Sequence, residues 1–375
     1  MKKELFIINL LVLAFFLLIN SCTINEDPPL PNINCDFKFY NVTLAGGGGY
    51  NNINTNRNHH YQIEVPVSNS IISVFANFSG ISGKIHLLNS ANTTVSYTGT
   101  ILNPMIENFQ IENAGIYYII IATDIDNEGT YSLDICGDVF SAERIQTVED
   151  YFNDQEWSQG GGFDSPNSWR NQHYSFNVLE DNCFIDMIAR SEGTNVKMYF
   201  LNSAGNTVTY SGVSTNEQIL GYNIENSGTY MISANTDDNH TGTFDLSIFS
   251  RSGFIDNLVK INSTDFSPKN GAWNPGGGID NYNSPDNDRY TFEVLENTHI
   301  DIIGKSQGAN CRIYLLDSGG NYLTYSGIDT YVEIKCREIT VGTYTISINA
   351  AESDNGTYEL FLYGKEGSVT ELVPE

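Results

Sequence analysis

One stretch constrains this 375-residue chain more than any other: GTYTISINAAESDNGTYELFLYG, Gly342 to Gly364, has two variants upstream. Gly115-Ile116-Tyr117 and Gly129-Thr130-Tyr131 open the two halves of the first copy; Gly228-Thr229-Tyr230 and Gly242-Thr243-Phe244 open those of the second. The copies stand 113 and 114 residues apart, a period that means repeated domains and not a solenoid, whose units run to ~20–50 residues. Within each copy the pattern is that of strands. Tyr344, Ile346 and Ile348 alternate with Thr343, Thr345 and Ser347, and Tyr358, Leu360 and Leu362 repeat the alternation after the turn residues Asp354-Asn355-Gly356. A lone hairpin is marginal in water, so each one requires a second sheet to cover its apolar face.

The rest of each copy supplies that sheet. Tyr61 to Val65, Tyr174 to Val178 and Tyr290 to Val294 alternate in the same way, followed by the apolar runs Ile72 to Phe78, Ile185 to Ala189 and Ile300 to Gly304. Tight turns are expected at Asn202-Ser203-Ala204-Gly205 and Asp317-Ser318-Gly319-Gly320. About seven or eight short strands per ~100 residues predict an all-β chain of three tandem β-sandwiches, jelly-roll or Ig-like in form. They span 35–138, 146–250 and 259–364, with 365–375 as a C-terminal tail. The connections, Val139 to Ile145 and Arg251 to Leu258, lack Pro- or Gly-rich linker composition, which predicts packed neighbours and a semi-rigid rod.

The chain begins with Lys2-Lys3 and the apolar run Leu5 to Ile19, followed by Asn20-Ser21-Cys22. This is the form of a secretory signal, too short to span a membrane, covering residues 1–21. It resembles a bacterial lipoprotein signal, which implies lipidation of Cys22, a tether over 22–34 and attachment to the membrane through that lipid. Glu26 and Asp27, just after the cysteine, resemble the surface-export signal of Bacteroidetes lipoproteins and imply an outer-membrane, cell-surface location. Removing residues 1–21 takes away two lysines and one glutamate, leaving 16 basic against 44 acidic side chains. A surface of that sign repels phosphate, so no nucleic-acid partner is expected.

The order of the motifs in each copy resembles the bacterial pre-peptidase C-terminal (PPC-like) domain family. The resemblance rests on Tyr290 to Val294, on Ile313 to Gly320, and on the Gly-Thr-Tyr pair at Gly342 to Ile346 and Gly356 to Leu360. It implies β-sandwich modules that accompany secreted enzymes, some of which bind substrate polymers or calcium. No peptidase portion accompanies them here.

Little in the sequence carries chemistry. His59 and His60 are adjacent and point to opposite sides of a strand, and Arg289 stands where copies one and two have His60 and His173, so the histidines are read as surface polar residues. There is no Gly-x-Ser-x-Gly, His-Glu-x-x-His or phosphate loop, and no catalytic residue, metal ligand or cofactor is assigned. Calcium is the one ion left open: Asp124-Ile125-Asp126-Asn127-Glu128-Gly129 begins like an EF-hand loop, but its twelfth position is Ile135, and a solvated hairpin turn is favoured. Cysteines appear in pairs within one copy, Cys35 with Cys136 and Cys311 with Cys336, as disulfides require; for the second pair buried thiols are an equal alternative. Cys183 is expected to be an inert strand residue.

The loops that open the copies, GGGGYNNINTNRNHHY, GGGFDSPNSWRNQHY and GGGIDNYNSPDNDRY, are the best candidates for a site. Trp157 and Trp273 stand three residues before their glycine triplets and are the candidate ligand-stacking residues; the competing reading makes each a cover on its core. The resulting expectation is a non-enzymatic envelope lipoprotein that binds a glycan or an extracellular protein polymer, or mediates adhesion. The alternative is a structural spacer subunit for a surface enzyme complex.

Overall fold

A computed structural model describes residues 35–375, so the expected signal peptide 1–21, Cys22 and the tether 22–34 lie outside the described residues. The fold is all-β, with six sheets and no helix among those residues.

Nine strands come from the first third of the described chain: β1 Phe37–Leu44, β2 His59–Val65, β3 Ser70–Ser79, β4 Lys84–Asn89, β5 Thr94–Tyr97, β6 Met105–Ile111, β7 Gly115–Ala122, β8 Gly129–Gly137 and β9 Ser141–Arg144. The next nine repeat them: β10 Thr147–Trp157, β11 Gln172–Val178, β12 Cys183–Glu192, β13 Lys197–Asn202, β14 Thr207–Tyr210, β15 Asn216–Ile224, β16 Gly228–Asn235, β17 Gly242–Arg251 and β18 Val259–Ile261. The last nine are β19 Lys269–Trp273, β20 Asp288–Val294, β21 Thr298–Gln307, β22 Cys311–Leu316, β23 Tyr322–Tyr325, β24 Tyr331–Ile339, β25 Gly342–Ala350, β26 Gly356–Tyr363 and β27 Val373–Pro374.

Each set forms a four-stranded and a five-stranded sheet in the same order, β1-β8-β3-β6 with β5-β4-β7-β2-β9 in the first. The second is β10-β17-β12-β15 with β14-β13-β16-β11-β18, the third β19-β26-β21-β24 with β23-β22-β25-β20-β27. No named sheet mixes strands of different sets. Each pair encloses its own apolar cluster, built from inward residues of both sheets such as Ile63, Ile119, Ile72 and Leu133 in the first pair. The alternation read from the hairpin survives in the burial of Tyr344, Ile346 and Ile348. The opposite face of that strand is also covered, with Thr345 and Ser347 buried.

Part of the first connection, the first residues assigned to the third sandwich and the tail instead complete the sheets. Ser141 to Arg144 pairs with β2, Val259 to Ile261 pairs back onto β11, and Tyr290 lies opposite Pro374. Each supplies a fifth, outer strand, and the apolar residues that come with it seal the core edge: Ile255 and Leu258 in the second pair, Val369 and Leu372 in the third. Residues 365–375 are therefore part of the third pair, and 259–261 part of the second.

Every four-stranded sheet carries a β-bulge at an equivalent position between its third and fourth strands. The register slips between Ile72 and Val74, between Ile185 and Met187, and between Ile300 and Ile302. The skipped residues are Ser73, Asp186 and Asp301. Opposite them stand residues of positive φ, Asn108, Gly221 and Cys336, and each donates its backbone N–H to the skipped side chain at 2.9, 2.6 and 2.8 Å. A bulge thus re-aims one strand residue away from the ladder.

Cys35 and Cys136 are bridged, joining the segment before β1 to β8 across 101 residues; closing a loop of that size restricts the unfolded chain by roughly 4–5 kcal/mol in the chain-entropy account. Cys311 and Cys336 are free. Cys311 lies in the core of the third pair, whereas the Cys336 thiol, on a bulge, lies beside Ser165 and Asn167 of the second pair. Cys183 is free and buried, as expected. Deleting residues 365–375 should strip Val369 and Leu372 from the third core and lower its unfolding free energy by about 3–6 kcal/mol; urea unfolding of the truncated chain measures this, and an unchanged midpoint would show that the outer strand adds nothing.

Candidate functional site: the junctions between sheet pairs

The glycine triplets do not form a binding loop of their own. They let the opening loop pass close to the β7–β8 turn and its equivalents. A Cβ on Gly47 would lie 2.1 Å from the Asp124 carbonyl oxygen, and one on Gly160 2.1 Å from that of Asp237. The loop is then pinned by an asparagine: Gly48, Gly161 and Gly277 donate their N–H to Asn58, Asn171 and Asn287 at 3.0, 3.0 and 3.1 Å. So fixed, the tips of the first two loops reach the next sheet pair.

There they meet the bulge carboxylates. Thr55 Oγ1 and the Asn56 N–H donate to Asp186 Oδ2 at 2.9 and 2.7 Å; Ser168 Oγ and the Trp169 N–H donate to Asp301 Oδ2, both at 2.8 Å. With the bulge N–H on the other oxygen, each aspartate accepts three hydrogen bonds and has no solvent exposure. An arginine two residues past the Thr or Ser flanks the contact. Arg57 pairs with Asp126, which also receives Arg190 from the second pair at 3.0 Å. Arg170 pairs with Glu333 at 3.0 Å, and Lys335 joins Asp238 and Glu333. Asp126 of the turn weighed for calcium, and Asp238 of its counterpart in the second pair, are thus partners of cationic side chains, and among the described residues no group of three or more His, Cys, Asp or Glu is arranged to hold a metal.

Trp157 and Trp273 do not present a face to ligand. Both are buried, packed on Phe244 at 4.2 Å and Tyr358 at 4.7 Å between ring centroids. Their Nε1–H groups donate to the carbonyls of Ala234 and Ile348 at 3.0 and 3.3 Å, so each closes its core. Four of the six histidines, His59, His60, His86 and His173, are also inside, whereas His299 is half-buried and His240 lies at the surface as expected. His59 touches the Tyr131 hydroxyl at 2.7 Å on the core side, and His60 Nε2 meets the Thr55 carbonyl at 2.8 Å under the loop. Burial holds His59 at about 3, and His60 and His173 at about 4, so all three are neutral at pH 7. Adjacent positions do face opposite ways, but both sides of β2 are covered.

The third tryptophan, not singled out by its sequence context, is the one near an opening. Trp169 leans on His173 at 4.6 Å and lines a cleft of about 470 Å³ between the second and third pairs, with Asn167, Gly205, His299 and Glu338. The matching place at the first junction holds about 10 Å³. There the Asn56 amide donates to the Phe184 carbonyl at 2.6 Å, and Arg251 lies over Tyr118 at 5.8 Å. At the second junction Lys365, the counterpart of Arg251, turns to Glu296 at 2.7 Å and leaves the space open. The signal in the sequence is a single aromatic, Trp169, where the other copies have Asn56 and Pro285.

No protein-family model matches the chain. No curated protein matches it. Among solved structures, the D431N mutant VP2 protein of infectious bursal disease virus in T=1 particles aligns over 92% of this chain and 80% of that one, with 9% identity and a TM-score of 0.17. The T13 particle of the same virus aligns over 92% and 79%, with 10% identity and a TM-score of 0.16. Scores this low carry no structural or functional argument.

Two measurements test the junction. Burial pushes the Asp186 carboxyl from 3.8 up to about 6 against the pull of its three donors. A folded value above the ordinary one means that this group's contribution to stability is complete below pH ~3.8 and is lost as pH rises through 6. Relative to Asp186→Asn, the intact chain should therefore gain up to about 3 kcal/mol of unfolding free energy between pH 7 and pH 4; identical pH slopes in urea titrations would contradict it. In a Thr55→Ala and Asp186→Ala double-mutant cycle the coupling should be about 1.5–3 kcal/mol, and additive losses would mean the loop does not hold the carboxylate.

Proposed function

We propose that the chain is a non-enzymatic envelope lipoprotein of three tandem β-sandwich domains of PPC-like type, forming a semi-rigid rod that binds a glycan or protein polymer or mediates adhesion. It is anchored in the outer membrane through a lipid on Cys22 and exposed at the cell surface. The lipoprotein-like start, the sequence repeat and the equivalent order of the six sheets support this reading. The observation that carries it is the Trp169 cleft: the matching place at the first junction is closed, where the second junction has a tryptophan and polar side chains around open space. The pocket of about 430 Å³ elsewhere at the first junction is lined by charged side chains such as Arg57, Asp126, Arg144 and Arg190 and has no tryptophan. Small-molecule and polymer sites favour such concave places between packed units, with an apolar face and a few polar groups. Trp169 takes the role first given to Trp157 and Trp273.

A spacer that holds an enzyme partner away from the membrane is the second reading, and the buried carboxylate at each junction favours it, because a spacer must resist bending. Glycan arrays and polymer pull-downs with the intact chain and Trp169→Ala decide between the two. Binding reduced at least ~10-fold in the variant is expected for a stacking residue in a cleft. No captured polymer, together with a stoichiometric protein partner on purification from native membranes, would favour the spacer.

A further inference from the structure

Each five-stranded sheet ends in a four-residue outer strand, β5, β14 or β23, that leaves a tyrosine and an aliphatic side chain in water. Tyr97, Tyr210 and Tyr325 are 66%, 61% and 53% exposed, and Val95, Val208 and Leu323 beside them 38%, 38% and 39%. Scattered surface apolar residues need no explanation. The same pair at the same strand position three times does.

Each tyrosine also sits in a built environment. On the neighbouring strand an aromatic ring meets it, His86 at 6.2 Å, Tyr199 at 5.6 Å and Tyr314 at 5.6 Å between centroids. A cation lies over the ring: Lys84 Nζ at 4.7 Å from Tyr97, Lys197 Nζ at 4.8 Å from Tyr210, and Arg312 Cζ at 5.0 Å from Tyr325. That cation is held in turn by an oxygen of the glycine-triplet loop, from Asn51, Asp164 or Asp280. Three separate segments therefore converge on one ring in every sheet pair. The third platform is enlarged, with Tyr282 packed on Tyr314 and Tyr322 at 5.3 and 5.5 Å.

We infer that these three platforms bind the chain of a neutral polysaccharide. An exposed ring matches the CH face of a pyranose, while the adjoining ammonium or guanidinium donates to hydroxyls and the loop oxygen accepts from them. Neutral is specified by charge. In the second and third platforms the cation is already paired with a carboxylate, and the chain carries a formal −27, which repels polyanions, nucleic acid included. A polymer is specified by repetition. Sites of modest individual strength on units locked at fixed spacing gain by avidity only on a ligand that also repeats. The inference rests on the polymer-binding reading above and places the contact outside the Trp169 cleft.

Affinity electrophoresis of the full chain tests it, in gels containing a soluble β-glucan, a mannan or a xylan, with dextran sulfate as the anionic control. Retardation is expected in at least one neutral gel and not with dextran sulfate. Single changes Tyr97→Ser, Tyr210→Ser or Tyr325→Ser should weaken it about 3–10-fold, the triple change about 100-fold or more, and Tyr210→Phe, which keeps the ring, less than about twofold. Because all three rings are exposed, unchanged near-ultraviolet dichroism outside the tyrosine band will confirm that the variants fold. Retardation by dextran sulfate alone, or none in any neutral gel, overturns the inference. Retardation that survives the triple change but is lost in Trp169→Ala overturns the platforms and leaves the cleft reading standing.

Discussion

Two carboxylates with no exposure to water fix how the sheet pairs meet. An ionised group moved from water into a protein interior costs several kcal/mol unless its oxygens are fully engaged. Asp186 and Asp301 each take one donor from their own bulge and two from the loop of the preceding pair. Any shift of the loop within the closed contact would leave the buried carboxylate short of two donors, so the contact selects one geometry instead of merely favouring proximity. In the first two loops the glycine triplet and the pinning asparagine bring two donors to one point.

The strands were legible because their alternation is strict: Tyr, Ile and Ile on one side of β25 leave no other way to bury the apolar face. The outer strands were not, because β9 is short and polar, Ser141-Ala142-Glu143-Arg144, and its pairing depends on an edge formed by residues 80 positions earlier. The junction was visible only as an anomaly. An acid between Ile185 and Met187, and again between Ile300 and Ile302, breaks an apolar run in two copies, while the first copy has Ser73. What it pairs with lies about 130 residues upstream, beyond any local pattern. Trp157 and Trp273 misled by proximity to polar loops. Each ends its strand on the inward side, where an indole whose N–H finds a backbone carbonyl can be fully buried.

The two junctions show how one framework yields different surfaces. The polar clasp is nearly identical in both, yet where Asn56 and Arg251 stand the place beside the clasp is closed, and where Trp169 and Lys365 stand it is a cleft. Arg251 has Tyr118 and Phe254 to lie against; Lys365 finds Glu296 instead. The clasp takes only the backbone N–H of Asn56 or Trp169, so the side chain at that position can differ without loss of the clasp.

The clasp has two complementary halves, and each end of the series lacks one. In the third loop, Pro285 stands where Asn56 and Trp169 offer an N–H, and Asp286 where Arg57 and Arg170 offer a guanidinium. The first bulge shows Ser73, with no carboxylate to receive a donor. Two molecules set head to tail would therefore bring a missing donor and a reversed charge against a hydroxyl already engaged within its own sheet. The clasp seen at the two junctions thus cannot be rebuilt, with the same donors and acceptor, between the third loop and the first bulge of another molecule.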